Sequence, residues 1–150
     1  MELTISHGTM GVRPPVTKPH PAFFELLGEE KFRALVNAHY EAIRESDIRF
    51  LFPIDDEDFE KAKEHAADFM IQITGGPDYF NQHRGAPQMV GRHAPFRITL
   101  EARNTWLKLY MPLLQNLTTQ SGEPMPEEIT RSFWNYLDVF SLWMINTPSH

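Results

Sequence analysis

Apolar residues recur along most of this chain at the three- and four-residue intervals of an α-helix, and hardly anywhere in the strict alternation of a strand. Phe32, Leu35, Val36, His39, Tyr40 and Ile43 fall on one face of a helix predicted over Glu29 to Glu45. Ala22 to Leu27 make a short turn or two before it, ended by Gly28, and Asp47 to Phe52 a brief turn stopped by Pro53. The next helix opens in Asp55-Asp56-Glu57-Asp58, whose carboxylates favour the positive end of a helix dipole. A solvated helix start explains that run better than a metal site does. Its inward stripe is predicted as Phe59, Ala62, His65, Ala66, Phe69, Met70 and Ile73, with Glu60, Lys61, Lys63 and Glu64 in water. Thr99 caps a later helix reaching Leu117, whose apolar positions include Trp106, Leu107, Leu109, Tyr110, Leu113 and Leu114. Pro112 is expected to kink it or to begin its fraying end. Past Glu123-Pro124-Met125-Pro126, the stretch Glu127 to Asn146 forms a last helix rich in aromatic residues. No convincing strand and no internal repeat occurs, so the expected fold class is all-α.

The periodicity weakens between Gly75 and Ile98. Gly75-Gly76 can take left-handed backbone angles and Pro77 cannot continue the preceding helix. The loop closes on Arg92-His93-Ala94-Pro95-Phe96, where a histidine just ahead of a proline is a good place for a fixed imidazole. Taken alone, such a histidine is more often a satisfied surface or core residue than a ligand. At the other end of the chain, residues 1–19 mix Pro14, Pro15 and Pro19 with glycines and scattered polar groups. They read as a loosely ordered extension without its own core, ahead of a globular domain spanning 20–150.

Composition narrows the chemistry. A length of 150 residues suits one domain with one core. The net charge of −6 argues against nucleic acid, because no basic stripe exists to neutralise phosphates. The chain has no cysteine, which removes disulfides and thiolate ligation of zinc, iron–sulfur clusters or haem. His, Tyr and Met are left as candidate iron ligands. No apolar run approaches a membrane span, and the acidic second residue with no apolar core behind it is unlike a secretory signal. A soluble cytoplasmic protein without nucleic-acid or membrane partners is expected.

The spacing Gly75-Gly76-Pro77, Arg84-Gly85-x-Pro87, Arg92-His93-Ala94-Pro95-Phe96-x-Ile98 resembles that of the group II truncated haemoglobins. The resemblance runs from about Phe32 to Pro148 and is densest from Gly75 to Trp106. It implies a shortened globin, with two helix pairs sandwiching haem b and the proximal helix reduced largely to a loop. His93 is then the axial ligand of iron and the sole protein ligand on its side, its second nitrogen donating to a carbonyl or carboxylate that the sequence does not identify. Arg92 is placed to reach a propionate, although its spacing alone fits an ordinary solvated arginine equally well. Tyr40 and Trp106 match the distal tyrosine and tryptophan, donors to a bound ligand; the plain alternative for both is core packing. Phe52 aligns with an aromatic that wedges against the macrocycle, and Ala62 stands where conventional globins carry a distal histidine. Phe69 and Met70 are implied to line the pocket, with Phe80, Met89 and Phe96 on the proximal side.

The departures concentrate on the distal side. Ala66 replaces a bulky leucine or glutamine and leaves room over the iron. His39 stands where phenylalanine is usual, and His65 could serve a propionate or swing inward. Water or an external ligand is expected in the ferric state, with coordination by His39 or His65 the lesser outcome. Only Gly28 remains of a common glycine pair, and two residues are added after Pro53.

The resemblance implies binding of oxygen, nitric oxide or other small ligands, in the manner of oxygen transport or with nitric oxide dioxygenation or peroxide turnover. Turnover needs an unidentified reductase, since no flavin or nicotinamide motif is present. A haem sensor or electron-transfer protein, and a cofactor-free helical interaction module, stay open from the residues alone. Monomer and homodimer are not distinguished.

Overall fold

The computed structural model describes residues 1–149. It contains helices α1 (Ala22–Leu27), α2 (Glu29–Arg44), α3 (Asp56–Ile73), α4 (Tyr79–Arg84), α5 (Met89–His93), α6 (Leu100–Gln115) and α7 (Glu127–Leu142), with a 3-10 turn at Arg49–Leu51. Among the described residues the only extended pairing is an isolated bridge between Thr118 and Pro124. The fold is all-α, as the periodicity requires.

Local chemistry sets the helix ends. The Asp55 carboxylate accepts from the Asp58 amide at 3.1 Å, and the Thr99 hydroxyl from the Ala102 amide at 3.1 Å, so α3 and α6 begin where the sequence places their caps. Gly28 joins α1 to α2 at a φ of 80°, and a Cβ there would press on Gln120. Pro112 does not end α6, which runs on to Gln115. The Lys108 carbonyl loses its helical donor at that point, but Lys108 is exposed and water can replace it.

Helix α2 packs on α3 and α6, and α6 on α7, giving two helix pairs face to face. One part of the sandwich is closed by Phe23 stacked on Phe133 at 4.5 Å, with Phe32 edge-on to both. His39 lies fully buried between α2 and α6. Its Nε2–H donates to the Trp106 carbonyl at 3.0 Å, and its ring stacks on Tyr110 at 3.5 Å. Its Nδ1 is buried with no hydrogen-bond partner. Burial depresses the His39 pKa to about 3, partly opposed by the bond to Trp106, so the ring is neutral at ordinary pH.

Three expectations need correction. Lys63 is buried, not in water: its ammonium bonds Asn37 at 2.8 Å, Glu41 at 2.6 Å and Glu60 at 2.9 Å. Carboxylates from two helices neutralise the charge while the stem covers apolar surface, which hydrophobic periodicity cannot register. The stretch from Gly75 to Ile98 is not a plain loop but holds α4 and α5, separated by Gly85 at φ 79° and Gln88 at φ 44°.

The N-terminal extension is the third, for it is anchored along the globule. Leu3 is buried, and Ser6 gives both its amide and its hydroxyl to the Asp138 carboxylate, at 2.9 and 2.6 Å. Arg103, itself buried against Asp138, donates to the Ser6 carbonyl at 2.7 Å. The indole N–H groups of Trp134 and Trp143 reach the carbonyls of Thr4 and Pro14, at 2.8 and 2.7 Å. These donors are buried or half-buried and require partners, which the extended strap supplies. No sequence period marks such pairing.

Two outcomes follow from this packing. Deleting residues 1–14 removes those bonds and should lower stability by about 2 kcal/mol or more. Thermal unfolding checks this, and an unchanged Tm would contradict it. The second concerns His39, whose ordinary pKa is 6.5. As pH falls from 6.5 towards 3 the unfolded chain takes up a proton that the folded chain refuses, costing up to about 1.4 kcal/mol per pH unit. Denaturant unfolding at pH 7 and pH 5 should therefore show a smaller loss in His39→Phe than in the unaltered protein; equal losses would show that His39 is not buried neutral.

Candidate functional site

Away from the phenylalanine cluster the two helix pairs part around a cavity of about 340 Å³. Its walls come from α2 through α7, and every candidate site residue lines it: Tyr40, Phe52, Ala62, His65, Ala66, Phe69, Met70, Phe80, Met89, Arg92, His93, Phe96 and Trp106. Residues more than sixty positions apart thus meet in one slot.

His93 is the last residue of α5, and its Nδ1–H donates to the Met89 carbonyl one turn back at 2.7 Å. That bond fixes the ring angle and tautomer, leaving the Nε2 lone pair free. Burial lowers the His93 pKa and the Met89 bond only partly offsets it, so the imidazole is neutral near pH 7. The following segment is pinned by Asn146, whose side chain donates to the carbonyls of Phe96 (2.8 Å) and His93 (3.3 Å) and accepts from the Ile98 amide (2.9 Å). Asn146 was not among the expected site residues, and a lone asparagine behind the last helix carries no pattern that would have revealed it.

Across the cavity stand the polar aromatic groups. Tyr40 is held edge-on by Phe52 and Phe59, at 5.4 and 5.7 Å. Trp106 is edge-on to His39 and Tyr110, at 5.3 and 5.2 Å. Burial pushes the pKa values of the Tyr40 and Tyr110 phenols far up, so both remain protonated donors. Ala62 and Ala66, one turn apart on α3, offer only methyl groups. Phe69, flanked by Phe80 and Phe140 at 5.8 and 5.6 Å, completes an apolar wall.

The rim is cationic. Arg84 donates to His65 Nδ1 at 3.3 Å, which places the proton of the neutral His65 ring on Nε2. Burial, then the Arg84 charge, lowers the His65 pKa. Arg92 gives Nε to the Pro87 carbonyl at 2.6 Å and Nη2 to the carbonyls of Arg84 and Ala86, at 2.9 and 3.1 Å, with its plane over Phe80. It therefore braces the turn between α4 and α5 as well as bordering the cavity.

His65 is not set up as an internal ligand, because its Nδ1 is engaged by Arg84 and its Nε2 carries the proton. His39 lies against the Tyr110 face in the α2–α6 contact, with Nε2–H on the Trp106 carbonyl and Nδ1 buried without a partner. The sequence reading overlooked Arg84, Arg103, Tyr110 and Phe140 as lining residues. Tyr110 follows Trp106 by one helical turn, and that spacing was a usable signal.

Comparison with known proteins agrees with this geometry. A family described as bacterial-like globin matches residues 22–144. Group 2 truncated hemoglobin YjbI of Bacillus subtilis is 27% identical over 123 residues, covering 82% of this chain and 87% of that protein. The crystal structure of phosphate-bound Hell's gate globin IV superposes with a TM-score of 0.83 at 32% identity, covering 98% of this chain and 89% of that one. The group II truncated hemoglobin of Bacillus anthracis gives a TM-score of 0.74 at 25% identity, over 85% and 98% of the two chains. With its helical sandwich and a family match across most of its length, the chain belongs to the bacterial-like globins, as one of their group II truncated haemoglobins.

Proposed function

We propose that the cavity holds haem b through His93 and captures oxygen or another small ligand on the side of Tyr40 and Trp106. The observation that carries this reading is the His93–Met89 bond, which leaves one neutral nitrogen directed at an apolar slot. A metal-binding imidazole needs one nitrogen so tied and the other unprotonated beside the site. The slot fits the group: it is lined by Phe52, Phe69, Met70, Phe80, Met89 and Phe96, with Arg84 and Arg92 at the rim for the propionates. Haem, when bound, supplies an iron coordination position and one-electron chemistry.

The chain's own residues orient and select. Phe52 and Phe59 set the Tyr40 ring, and His39 and Tyr110 set Trp106, so the donors are fixed before a ligand arrives. The small Ala62 and Ala66 side chains keep space on the ligand side. Such a pocket suits oxygen storage or transport. It also suits nitric oxide dioxygenation or peroxide turnover, with electrons from a separate reductase. No described helix is long and apolar enough to cross a membrane.

A Soret band in the reconstituted protein tests the reading at once; a colourless product that does not take up haemin would reject it. His93→Ala should lose stable haem retention unless imidazole is supplied, measured by haem transfer to an acceptor globin. Full retention with an unchanged spectrum would remove His93 from the iron. Losing one hydrogen bond to a charged ligand costs about 1.5–3 kcal/mol, so Tyr40→Phe and Trp106→Phe should each speed oxygen release by roughly tenfold or more. Stopped-flow displacement measures this, and rates unmoved in both variants would exclude these side chains as ligand contacts.

A further inference from the structure

We propose that Tyr110, held in place by His39, is a third hydrogen-bond donor to the ligand and strengthens selection for oxygen over carbon monoxide. The proposal rests on the haem reading above. Tyr110 lies on α6 one turn after Trp106, so both side chains point from the same helix face. Both line the cavity together with Tyr40. The Tyr110 ring is clamped: His39 lies nearly parallel against it at 3.5 Å, Trp106 meets it edge-on at 5.2 Å and Phe133 edge-on at 6.2 Å. The hydroxyl torsion is the freedom that remains to it.

The hydroxyl is the part that packing does not require. Phenylalanine would fill the same clamp, and a buried phenolic O–H ordinarily finds a partner. Among the described residues no protein group accepts from it; burial, then the nearby Tyr40, raises the Tyr110 pKa, with no hydrogen bond contributing. The side chain is 2% exposed and lines the cavity, so the access left to the hydroxyl is through that space. What is left to receive the proton is a molecule in the cavity.

His39 is the positioning residue. Its Nε2–H ties it to the Trp106 carbonyl, and its face sets Tyr110, so one ring locates two donors on α6 relative to Tyr40 on α2. Dioxygen as a haem ligand accepts hydrogen bonds strongly on two atoms, whereas carbon monoxide accepts weakly. A third donor therefore favours oxygen.

The test is Tyr110→Phe in the haem-reconstituted protein, read by oxygen and carbon monoxide dissociation and by the C–O stretch of the carbon monoxide form. A retained Soret band, oxygen release faster by roughly tenfold, carbon monoxide release little changed and a C–O stretch moved to higher frequency are expected. Haem retained with oxygen release and C–O stretch both unchanged would overturn the role of Tyr110 and leave the haem reading standing. Should Tyr110→Phe fail to hold haem, His39→Ala supplies the second measurement. It keeps the phenol but removes the ring that sets it, and the C–O stretch and oxygen release should move in the same directions. No movement in that variant overturns the proposal. Unaltered protein with no Soret band would defeat the haem reading itself.

Discussion

The hydrogen bond from His93 Nδ1 to the Met89 carbonyl is the contact on which the rest of the site depends. It exists because five residues from Met89 make one helical turn inside an otherwise irregular stretch, bringing the side chain of the fifth under the carbonyl of the first. Without that turn the imidazole could rotate, and the nitrogen facing the cavity would be undefined. The turn is itself supported on both sides. Arg92 binds three carbonyls before it, and Asn146 from beyond α7 binds the backbone after it. An apparently weak segment is thus made rigid by side chains rather than by length of helix.

The opposite wall is organised by a buried neutral histidine. Placing His39 at the α2–α6 contact costs stability at acid pH, since burial opposes its protonation. In return its ring contacts Trp106 and Tyr110 together, which phenylalanine would do without fixing the Trp106 carbonyl. Charge is handled elsewhere by the same rule. Lys63, Asp68 and Arg103 are buried, and each is paired: Lys63 with Glu41 and Glu60, Asp68 with Arg33 and His83, Arg103 with Asp138. The last pair reaches outward to the N-terminal strap and inward to the cavity wall, so the strap and the site share one structural element.

Much of this was legible beforehand where it depended on period. The inward face of α2, the caps at Asp55 and Thr99 and the turn before Pro53 follow from spacing and local chemistry. His93 was different: nothing in its neighbours distinguishes it from a packed histidine, and only the wider motif pointed to iron. The rest was hidden for definite reasons. The partner of His93 is a backbone carbonyl, which no side-chain pattern encodes. Lys63 and the N-terminal strap are placed by long-range hydrogen bonds that override polarity and composition. Tyr110 was visible as an apolar helix position, but its hydroxyl gains meaning only from the cavity beside it. His65 looked like a candidate ligand until its bond to Arg84 placed the ring proton on Nε2, whereas His39 proved to be a packing residue of the α2–α6 contact, stacked on Tyr110.

The most direct measurement is the resonance Raman spectrum of the ferrous, ligand-free protein reconstituted with haem. Iron held by His93 predicts an iron–histidine stretching band that shifts when histidine is labelled with nitrogen-15 and disappears in His93→Ala. A spectrum lacking that band, or one in which it survives His93→Ala, would contradict the central assignment.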